Sequence, residues 1–446
     1  YSFLTCDWDA RLSRVSLGRR VAFRVRSEAE RGRRLDRAFA EAAEGLDQRE
    51  RSFAYELSFG VTRLRGRIEY LLLQQLDRPL EDLDLPVLET LRLGAYQLLY
   101  MDRVPDYAAV SQSVDQVRSA VGSGPTGLVN AVLRRVKRAG DGLELFPSFD
   151  SEPLAFLESW GSHPRWLLKR WLDRWTEAEV RALVEANNKR PDVYIVGLGA
   201  QPESVLSGLV DSGLEAKSVG VGTACIRLKR RTIVTKVLEL IPDAIVQDPA
   251  ANLVARYCDV PSGTKVADLC SAPGGKILAI SDQPVFSIAS DLSESRMLMV
   301  RDNARRTGRQ LGLVVADARH PPMRHADVVL LDAPCSGTGT LSRRPDARWR
   351  LVPERIDTLV ALQSELLASA ATLLTDGGIL VYSTCTLEQE ENEGVVDAFL
   401  ANHPDFHIQA TGAVPEQYLD SAGRLVVTPQ ATGFDGAFAV RMRKAA

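Results

Sequence analysis

Two cysteines and one aspartate follow strand-like runs of the sequence, and together they could do covalent chemistry on a pyrimidine ring. Asp332 and Cys335 follow the apolar run 328–331, and Cys385 follows the run 379–382. A thiolate that adds to carbon 6 of cytosine turns the ring into an enamine, whose carbon 5 can then attack an electrophilic methyl group. An acid beside the ring would offset the charge that forms, and Asp332 is the candidate if the site raises its pKa enough for it to hold a proton. A general base must then remove the proton from carbon 5.

A single cysteine on a strand is more often a small buried hydrophobic residue than a nucleophile. Cys335 and Cys385 stand at the ends of two consecutive strand-like runs, beside a second set of candidate residues. Adjacent strands of one sheet would bring both thiols to the same crevice. We therefore interpret the two cysteines as a functional pair.

A glycine-rich turn and three aspartates predict a nucleoside-binding site beside the thiols. Asp268 ends one strand-like run, Asp291 ends the next, and Asp317 ends the third. A doubly wound fold places a carboxylate such as Asp291 against ribose hydroxyls, and Asp317 could face the adenine edge. One such aspartate alone is more often a helix N-cap, but three in register favour a ligand site. The turn after Asp268 lets the backbone approach a ligand closely, and it consists of Cys270, Ser271, Ala272, Pro273, Gly274, Gly275 and Lys276.

The elements that would position these residues are short strands alternating with helices. Such alternation predicts a parallel, doubly wound sheet with ligands at the carboxyl ends of its strands. The strand-like runs are 265–269, 285–289, 312–316, 328–331 and 379–382. Every candidate residue above lies at one of these ends.

The rest of the chain predicts two further domains. Apolar residues recur at three- and four-residue spacing in 53–59 and 87–99, and glycine and proline breaks divide the first part of the chain into five or six helices. We therefore expect an all-α domain over 1–140. A small α/β connector over 141–245 and a catalytic domain over 246–446 would follow.

Basic residues are concentrated in the N-terminal domain of a chain whose formal net charge is -3. Residues 1–140 hold 23 Lys and Arg against 19 Asp and Glu. Guanidinium groups suit phosphate contact, so we expect the basic clusters to bind RNA. For the first cluster alone, a solvated helix face with interspersed acids is an equal alternative. The first cluster comprises Arg11, Arg14, Arg19, Arg20, Arg24, Arg26, Arg31, Arg33, Arg34 and Arg37, and the second Arg134, Arg135, Lys137 and Arg138.

The composition argues against a membrane protein and against a disulfide-stapled scaffold. Hydrophobic residues make up 45% and charged residues 25% of the chain, and no apolar run approaches the roughly 18 residues of a membrane span. The six cysteines have no zinc-site spacing, so we expect no metal site and a reducing compartment. No secretory signal is recognisable after Tyr1, which favours the cytoplasm.

Several segments of the chain resemble one enzyme family. The catalytic half resembles the NOL/NOP/Sun RNA methyltransferases through 271–276, 332–339, 343–349 and 383–393. The helical part resembles the NusB-like RNA-binding domain through 56–63, 91–99, 103–105 and 128–135. The two together resemble the bacterial RsmB/Sun branch, which methylates 16S ribosomal RNA. The resemblance extends from about residue 20 to Phe438.

This resemblance implies a multidomain fold: an all-α NusB-like N-terminal domain, a small α/β connector and a C-terminal α/β Rossmann-like class I methyltransferase domain. It implies S-adenosylmethionine as the cofactor, Cys385 as the nucleophile and Cys335 as the thiol that assists release. The turn 270–276 with Asp291, Asp317 and Asp332 would hold the cofactor. The substrate would be 16S ribosomal RNA that is free of, or incompletely assembled with, ribosomal proteins.

Other functions predict other motifs. A DNA cytosine methyltransferase would use the cysteine of the Pro-Cys motif at Cys335 and carry a Glu-Asn-Val acid motif. An exocyclic-amine methyltransferase would have Asp/Asn-Pro-Pro-aromatic where this chain has 332–335. A non-catalytic RNA-binding assembly factor would predict decay of the thiol and loop motifs, which are intact. A cytosine-C5 methyltransferase acting on another RNA, such as tRNA, is an alternative that the motifs leave open.

Overall fold

The computed structural model describes residues 15–220, 224–230, 232–283, 285–321 and 323–446. Three residues named above, Tyr1, Arg11 and Arg14, lie outside these ranges. The chain divides into two compact units, of which the first comprises Tyr1–Lys189 and Leu341–Arg350 and the second Arg190–Thr340 and Leu351–Ala446. Among the described residues, no helix has the length and apolar character that crossing a membrane requires.

The first unit is helical throughout its described part. Its core is formed by fully buried leucines on successive helices, including Leu57, Leu72, Leu91 and Leu133. The helices are α1 (Leu17–Glu30), α2 (Leu35–Ala42), α3 (Gln48–Arg63), α4 (Arg65–Leu73), α5 (Leu85–Tyr100), α6 (Asp106–Val121), α7 (Thr126–Ala139), α8 (Pro153–Ser159), α9 (Arg165–Leu172) and α10 (Glu177–Asn188). The amphipathic spacing that predicted helices therefore also buries one face of each.

Arginines of the first basic cluster are largely engaged inside this unit. The Arg26 side chain is 2% exposed and its guanidinium lies 3.0 Å from the Glu89 carboxylate. Arg24 and Arg33 both pair with acids on α1 and α2, and Arg34 pairs with Asp36 at 2.6 Å. For these residues the structure agrees with the alternative of a helix face with interspersed acids.

The segment Leu341–Arg350 belongs to the helical unit although it lies far along the chain. The Arg348 side chain is fully buried, and its guanidinium donates to the Asn188 amide oxygen at 2.8 Å and to the Ser162 carbonyl at 3.1 Å. The Trp349 indole N–H donates to the Thr62 carbonyl at 2.8 Å. These buried polar contacts fasten the segment to the helices.

The second unit begins with a small antiparallel sheet. Its strand order is β2-β3-β1-β4, and two helices pack beside it. The elements are β1 (Val193–Gly197), α11 (Pro202–Asp211), β2 (Ala216–Ser218), β3 (Cys225–Leu228), α12 (Val234–Leu240) and β4 (Ala244–Val246). A small α/β connector is thus present, as predicted, with its strands between Val193 and Val246. The stretch 141–189, which the prediction also included in the connector, belongs to the helical unit.

A larger sheet follows in the order β10-β12-β9-β8-β5-β6-β7, with β11 paired to β12. Neighbours among β5 to β9 pair in parallel, whereas β12 is antiparallel to β9. The elements are α13 (Pro249–Tyr257), β5 (Lys265–Asp268), α14 (Gly275–Ile280), β6 (Phe286–Asp291), α15 (Glu294–Arg306), β7 (Gly312–Val315), β8 (Ala326–Asp332), α16 (Pro353–Ala371), β9 (Leu374–Thr384), α17 (Glu393–Asn402), β10 (Phe406–Ile408), β11 (Leu425–Val427), α18 (Pro429–Thr432) and β12 (Ala437–Lys444). The predicted parallel sheet is confirmed.

Side chains on the central strands alternate between two cores. Val328 and Leu330 of β8 pack with α13, α14 and α15, whereas Val329 and Leu331 pack with α16 and α17. Burial on both faces explains why β8 is an unbroken apolar run. This arrangement fixes the carboxyl ends of the strands, and every predicted site residue of the catalytic domain lies at one of these ends or in the loop that follows it.

Candidate active site

The structure brings the two predicted cysteines together. Strands β8 and β9 are paired in parallel with Asp332 opposite Ser383, so that both chains emerge at the same edge. The Sγ atoms of Cys335 and Cys385 are 3.5 Å apart, and the Cys385 N–H donates to the Cys335 Sγ at 3.4 Å. Both residues are partly exposed. Two thiols at this distance can act on one bound ring.

The surroundings of the two thiols differ. The contact with Cys385, and then burial, raise the pKa of Cys335 well above its ordinary value. Cys335 therefore keeps its proton near neutral pH. Because the thiolate is the nucleophilic form of cysteine, a protonated Cys335 suits proton transfer rather than attack.

Asp332 is held by an ion pair and a hydroxyl. The Lys276 ammonium lies 2.6 Å from one Asp332 oxygen, and the Ser383 hydroxyl donates to the other at 2.9 Å. Burial lowers the pKa of Lys276, but the charge and hydrogen bond of Asp332, together with the charges of Cys385 and Asp268, outweigh it, and the net shift is upward. Sequence reasoning assigned Lys276 only to the turn. The structure instead makes it a charged group beside Asp332.

The glycine-rich turn runs from the end of β5 into α14. Gly274 has φ of +96°, a backbone conformation that L side chains rarely adopt, and a Cβ there would lie 3.0 Å from the Val300 side chain. Ser271 and Ala272 are buried, whereas Cys270 is partly exposed and Pro273 is exposed. Burial raises the pKa of Cys270, so it is a third thiol rather than a thiolate. The turn thus presents mainly backbone to the crevice.

Asp291 ends β6 and already has several partners. Its side chain is 2% exposed, and its oxygens accept from the Ala272 N–H at 3.2 Å and the Ser293 N–H at 3.0 Å. Arg296 of α15 lies 3.0 Å from the same carboxylate and also donates to the Ala272 carbonyl. Arg296 was not predicted; its position one turn into α15, just after Asp291, is the only sequence signal for it. Asp291 therefore also holds the glycine-rich turn.

Asp317 lies two residues beyond β7 rather than at its end. The Ala316 N–H donates to the Asp291 carbonyl at 3.1 Å, which brings the segment beside β6. Hydrogen bonds from Arg319 lower the pKa of Asp317 to about 2. The carboxylate is therefore engaged by Arg319, and contact with an adenine edge stays a prediction.

Asp268 is a further candidate for cofactor binding. The sequence identifies it only as the first of three aspartates at the ends of successive strands. The residue is 1% exposed, and neither oxygen of its carboxylate accepts a well-formed hydrogen bond from the described residues. Burial, and then the charge of Asp332, raise the pKa of Asp268 to about 7. A buried carboxylate without donors fits a cationic ligand group, because such a partner would remove the desolvation penalty. Asp268 begins the turn motif, which is the signal that could have identified it.

Comparison with known proteins is consistent with this architecture. The chain matches the family models of the 16S rRNA methyltransferase RsmB/F over residues 258–443, the NusB family over 10–138 and the RsmF/B-like ferredoxin-like domain over 163–235. Among solved structures, PH0851 is 26% identical with a TM-score of 0.78, covering 96% of this chain and 98% of its own. A methyltransferase homolog protein from Pyrococcus horikoshii is 25% identical with a TM-score of 0.57, covering 66% and 99%.

Curated relatives match along nearly the whole chain. The probable ribosomal RNA small subunit methyltransferase B of Bacillus subtilis is 31% identical over 90% of this chain and 92% of its own length. The ribosomal RNA small subunit methyltransferase B of Klebsiella pneumoniae is 32% identical over 89% and 92%. The predicted combination of NusB-like, connector and methyltransferase domains is confirmed. With these domains in this order and this coverage, the chain belongs to the ribosomal RNA small subunit methyltransferase B family.

Proposed function

We propose that this methyltransferase modifies carbon 5 of a cytosine in 16S ribosomal RNA, through a covalent bond between Cys385 and carbon 6 of the base. The observation that carries the proposal is the pair of thiols at 3.5 Å on adjacent strand ends. Membership of the family gives methylation of small-subunit ribosomal RNA. The position of the methyl group on the base is the part that we infer.

S-adenosylmethionine is the cofactor of this family, as predicted. When bound, it supplies an electrophilic methyl group. The residues of the site fit its parts. Asp291 would accept from the ribose hydroxyls, and the buried Asp268 would face the amino group. The turn 270–276 would cover the methionine part, with Asp317 towards the adenine.

Each reacting group then has a distinct role. The Cys385 thiolate adds to carbon 6, and the Lys276 ammonium, which Asp332 holds in place, would offset the negative charge that builds on the ring. Once carbon 5 is methylated, its proton leaves to a base and the bond between Cys385 and carbon 6 breaks. Cys335, which keeps its proton near neutral pH, assists this release from 3.5 Å away.

The competing functions predict a different site. Methylation of an exocyclic amine needs neither thiol. A DNA-type mechanism would use Cys335 as the nucleophile, but the raised pKa of Cys335 disfavours its thiolate form. A non-catalytic assembly factor has no need of two thiols beside a partly buried ion pair.

The test is to incubate the protein with methyl-labelled S-adenosylmethionine and either naked 16S RNA or assembled small subunits. We expect label in 5-methylcytosine, with naked RNA as the better substrate. Digestion of the RNA and separation of its nucleosides identifies the product. Label in an N-methylated nucleoside, or in no nucleoside at all, contradicts the proposal.

A further inference from the structure

A buried carboxylate lies behind the two thiols and takes no part in the steps described above. Glu391 ends a one-turn helix, Gln389–Glu391, which follows β9, and its side chain is fully buried. One of its oxygens, Oε1, accepts from the Ser336 N–H at 2.8 Å and from the Gln363 amide at 2.9 Å. The same amide nitrogen donates to the Pro334 carbonyl at 2.9 Å.

The second oxygen of Glu391 contacts two hydroxyl groups. Oε2 accepts from the Thr386 hydroxyl at 2.8 Å and from the Ser336 hydroxyl, and these two hydroxyls are 2.7 Å apart. Ser336 directly follows Cys335, and Thr386 directly follows Cys385. One carboxylate therefore holds the residues next to both thiols.

The neighbouring residue strengthens the hold on the Cys385 side. The Asn392 amide accepts from the Thr384 hydroxyl at 2.5 Å and donates to the Thr386 carbonyl at 3.1 Å. The backbone is thereby fixed on both sides of Cys385. The Glu391 carboxylate makes no hydrogen bond to either Sγ among the contacts of the described residues, so its contacts reach the thiols through the loops that carry them. Its charge is also one of the smaller causes of the raised pKa of Cys335.

We propose that Glu391 is a positioning residue that sets the spacing of Cys335 and Cys385. The effect of this positioning on catalysis rests on the proposed function, because the distance between the two thiols affects the rate only if Cys335 helps to expel Cys385. A fixed pair avoids the loss of rate that comes with a misplaced reacting group.

The two oxygens of Glu391 make different demands on a replacement. The donors at Oε1, a backbone N–H and an amide, can only donate, so an acceptor is required there. The hydroxyls at Oε2 can reverse and accept instead. Glu391→Gln can therefore keep the whole arrangement, with its carbonyl at Oε1 and its amide at Oε2. Glu391→Met has a similar length but leaves the Ser336 N–H without an acceptor.

The experiment compares wild type, Glu391→Gln and Glu391→Met in the full chain. Val396→Ala is the control for lost stability, because Val396 is fully buried on α17 and contacts neither thiol loop through a side-chain hydrogen bond. Thr386→Val, which removes only the hydroxyl link to the Cys385 loop, replaces Glu391→Met if that variant does not fold. Three quantities are measured: the melting temperature, the kinetics on naked 16S RNA, and bridging of the two thiols by phenylarsine oxide. Cys335→Ser lacks one of the two thiols and therefore gives the background signal of the bridging measurement.

We expect Glu391→Met to lose most of the thiol bridging and to lower kcat by at least about tenfold, with the KM for S-adenosylmethionine within about twofold. Glu391→Gln should retain bridging and keep kcat within about threefold of wild type. If Glu391→Gln is as impaired as Glu391→Met, the charge matters rather than the position. If Glu391→Met loses no more thiol bridging and no more kcat than Val396→Ala at the same melting temperature, Glu391 only stabilises the fold. Either result overturns the proposal.

The bridging measurement separates this proposal from the one on which it rests. Should wild type form no 5-methylcytosine, the proposed function is wrong, yet dependence of bridging on Glu391 still decides the positioning role. If bridging is the same in all three proteins, Glu391 does not set the spacing, whatever the product.

Discussion

The two cysteines of the site are close in space but unequal in their surroundings. Cys335 has a raised pKa, and Cys385 stands beside the Lys276–Asp332 ion pair. This inequality is what a two-step covalent mechanism requires. One thiol must be available for attack while the other retains its proton.

Substitution of each thiol separates their roles. Cys385→Ala should abolish both methyl transfer and any covalent adduct. Cys335→Ala should allow addition and methyl transfer and then stall, so that protein stays joined to RNA. A denaturing gel of folded variants with RNA and cofactor measures the adduct. An adduct with Cys385→Ala but none with Cys335→Ala reverses the assignment, and two destabilised variants without adduct indicate cysteines that only pack.

Asp268 should make the stability of the unliganded protein depend on pH. Its pKa is raised from the ordinary 3.8 to about 7, so between these values the folded chain holds a proton that the unfolded chain has lost. The free energy of unfolding should therefore fall as the pH rises through this window. Asp268→Asn should flatten that fall, as measured by urea unfolding at about pH 5 and about pH 8. An unchanged pH dependence in the variant excludes Asp268 as the cause.

Sequence reasoning identified the residues that end strands but not the contacts they make. Cys335, Cys385 and Asp291 could be predicted because each follows a recognisable apolar run. The pairing of Lys276 with Asp332 and the hold of Glu391 on both loops could not be predicted. They depend on residues far apart in the chain, whose side chains meet only after the sheet has formed.

At the scale of elements, the five predicted strands and their parallel pairing are confirmed. The alternating pattern of short apolar runs and helices specifies such a sheet without reference to any single contact. The end of β7 was less predictable, since Asp317 lies two residues beyond the strand. Strand ends depend on where neighbouring backbones stop pairing, which a local pattern does not record.

Close backbone contact between two loops makes Gly339 sensitive to substitution. The Gly339 N–H donates to the Cys385 carbonyl at 3.0 Å, and a Cβ at Gly339 would lie 2.7 Å from the Gly436 Cα and 2.8 Å from that carbonyl. Gly339→Ala should lower stability by about 1–3 kcal/mol and displace the Cys385 loop. Thermal unfolding and methyl transfer measure both effects.

Gly412→Ala is the matched control, because a Cβ there meets nothing within 4 Å. It should leave melting temperature and activity near those of wild type. If the two alanine variants behave alike, the close contact at Gly339 has no functional importance.

At the scale of the whole molecule, the second basic cluster is better placed than the first to bind RNA. A cavity of about 920 Å³ on the helical unit is lined by Arg134 and Arg138 together with Tyr107, which is 78% exposed, whereas Lys137 in the same lining pairs with Asp106 at 3.1 Å. Exposed aromatic and basic side chains are the groups that bind single-stranded RNA. In the first cluster, by contrast, acids on the same helices neutralise several arginines.

Removal of two charges should test this assignment. Arg134→Ala with Arg138→Ala should weaken binding of 16S RNA and reduce the slope of log affinity against log salt by about 0.7–0.9 per lost phosphate contact. Arg24→Ala with Arg33→Ala is the charge-matched control and should change the slope little. Filter binding over a range of salt concentrations measures both pairs. A larger effect of the control pair places the RNA on α1 and α2 instead.

The segment Leu341–Arg350 restricts how the gene can be recombined. The codons for this segment lie within the part of the gene that encodes the catalytic domain. The Arg348 and Trp349 side chains nevertheless donate hydrogen bonds to backbone carbonyls of the helical unit. A hybrid of two relatives spliced after Lys189 would combine one parent's helices with the other parent's segment. Crossovers at that boundary should be tolerated only between parents that match at both places, so the two units are inherited as one module.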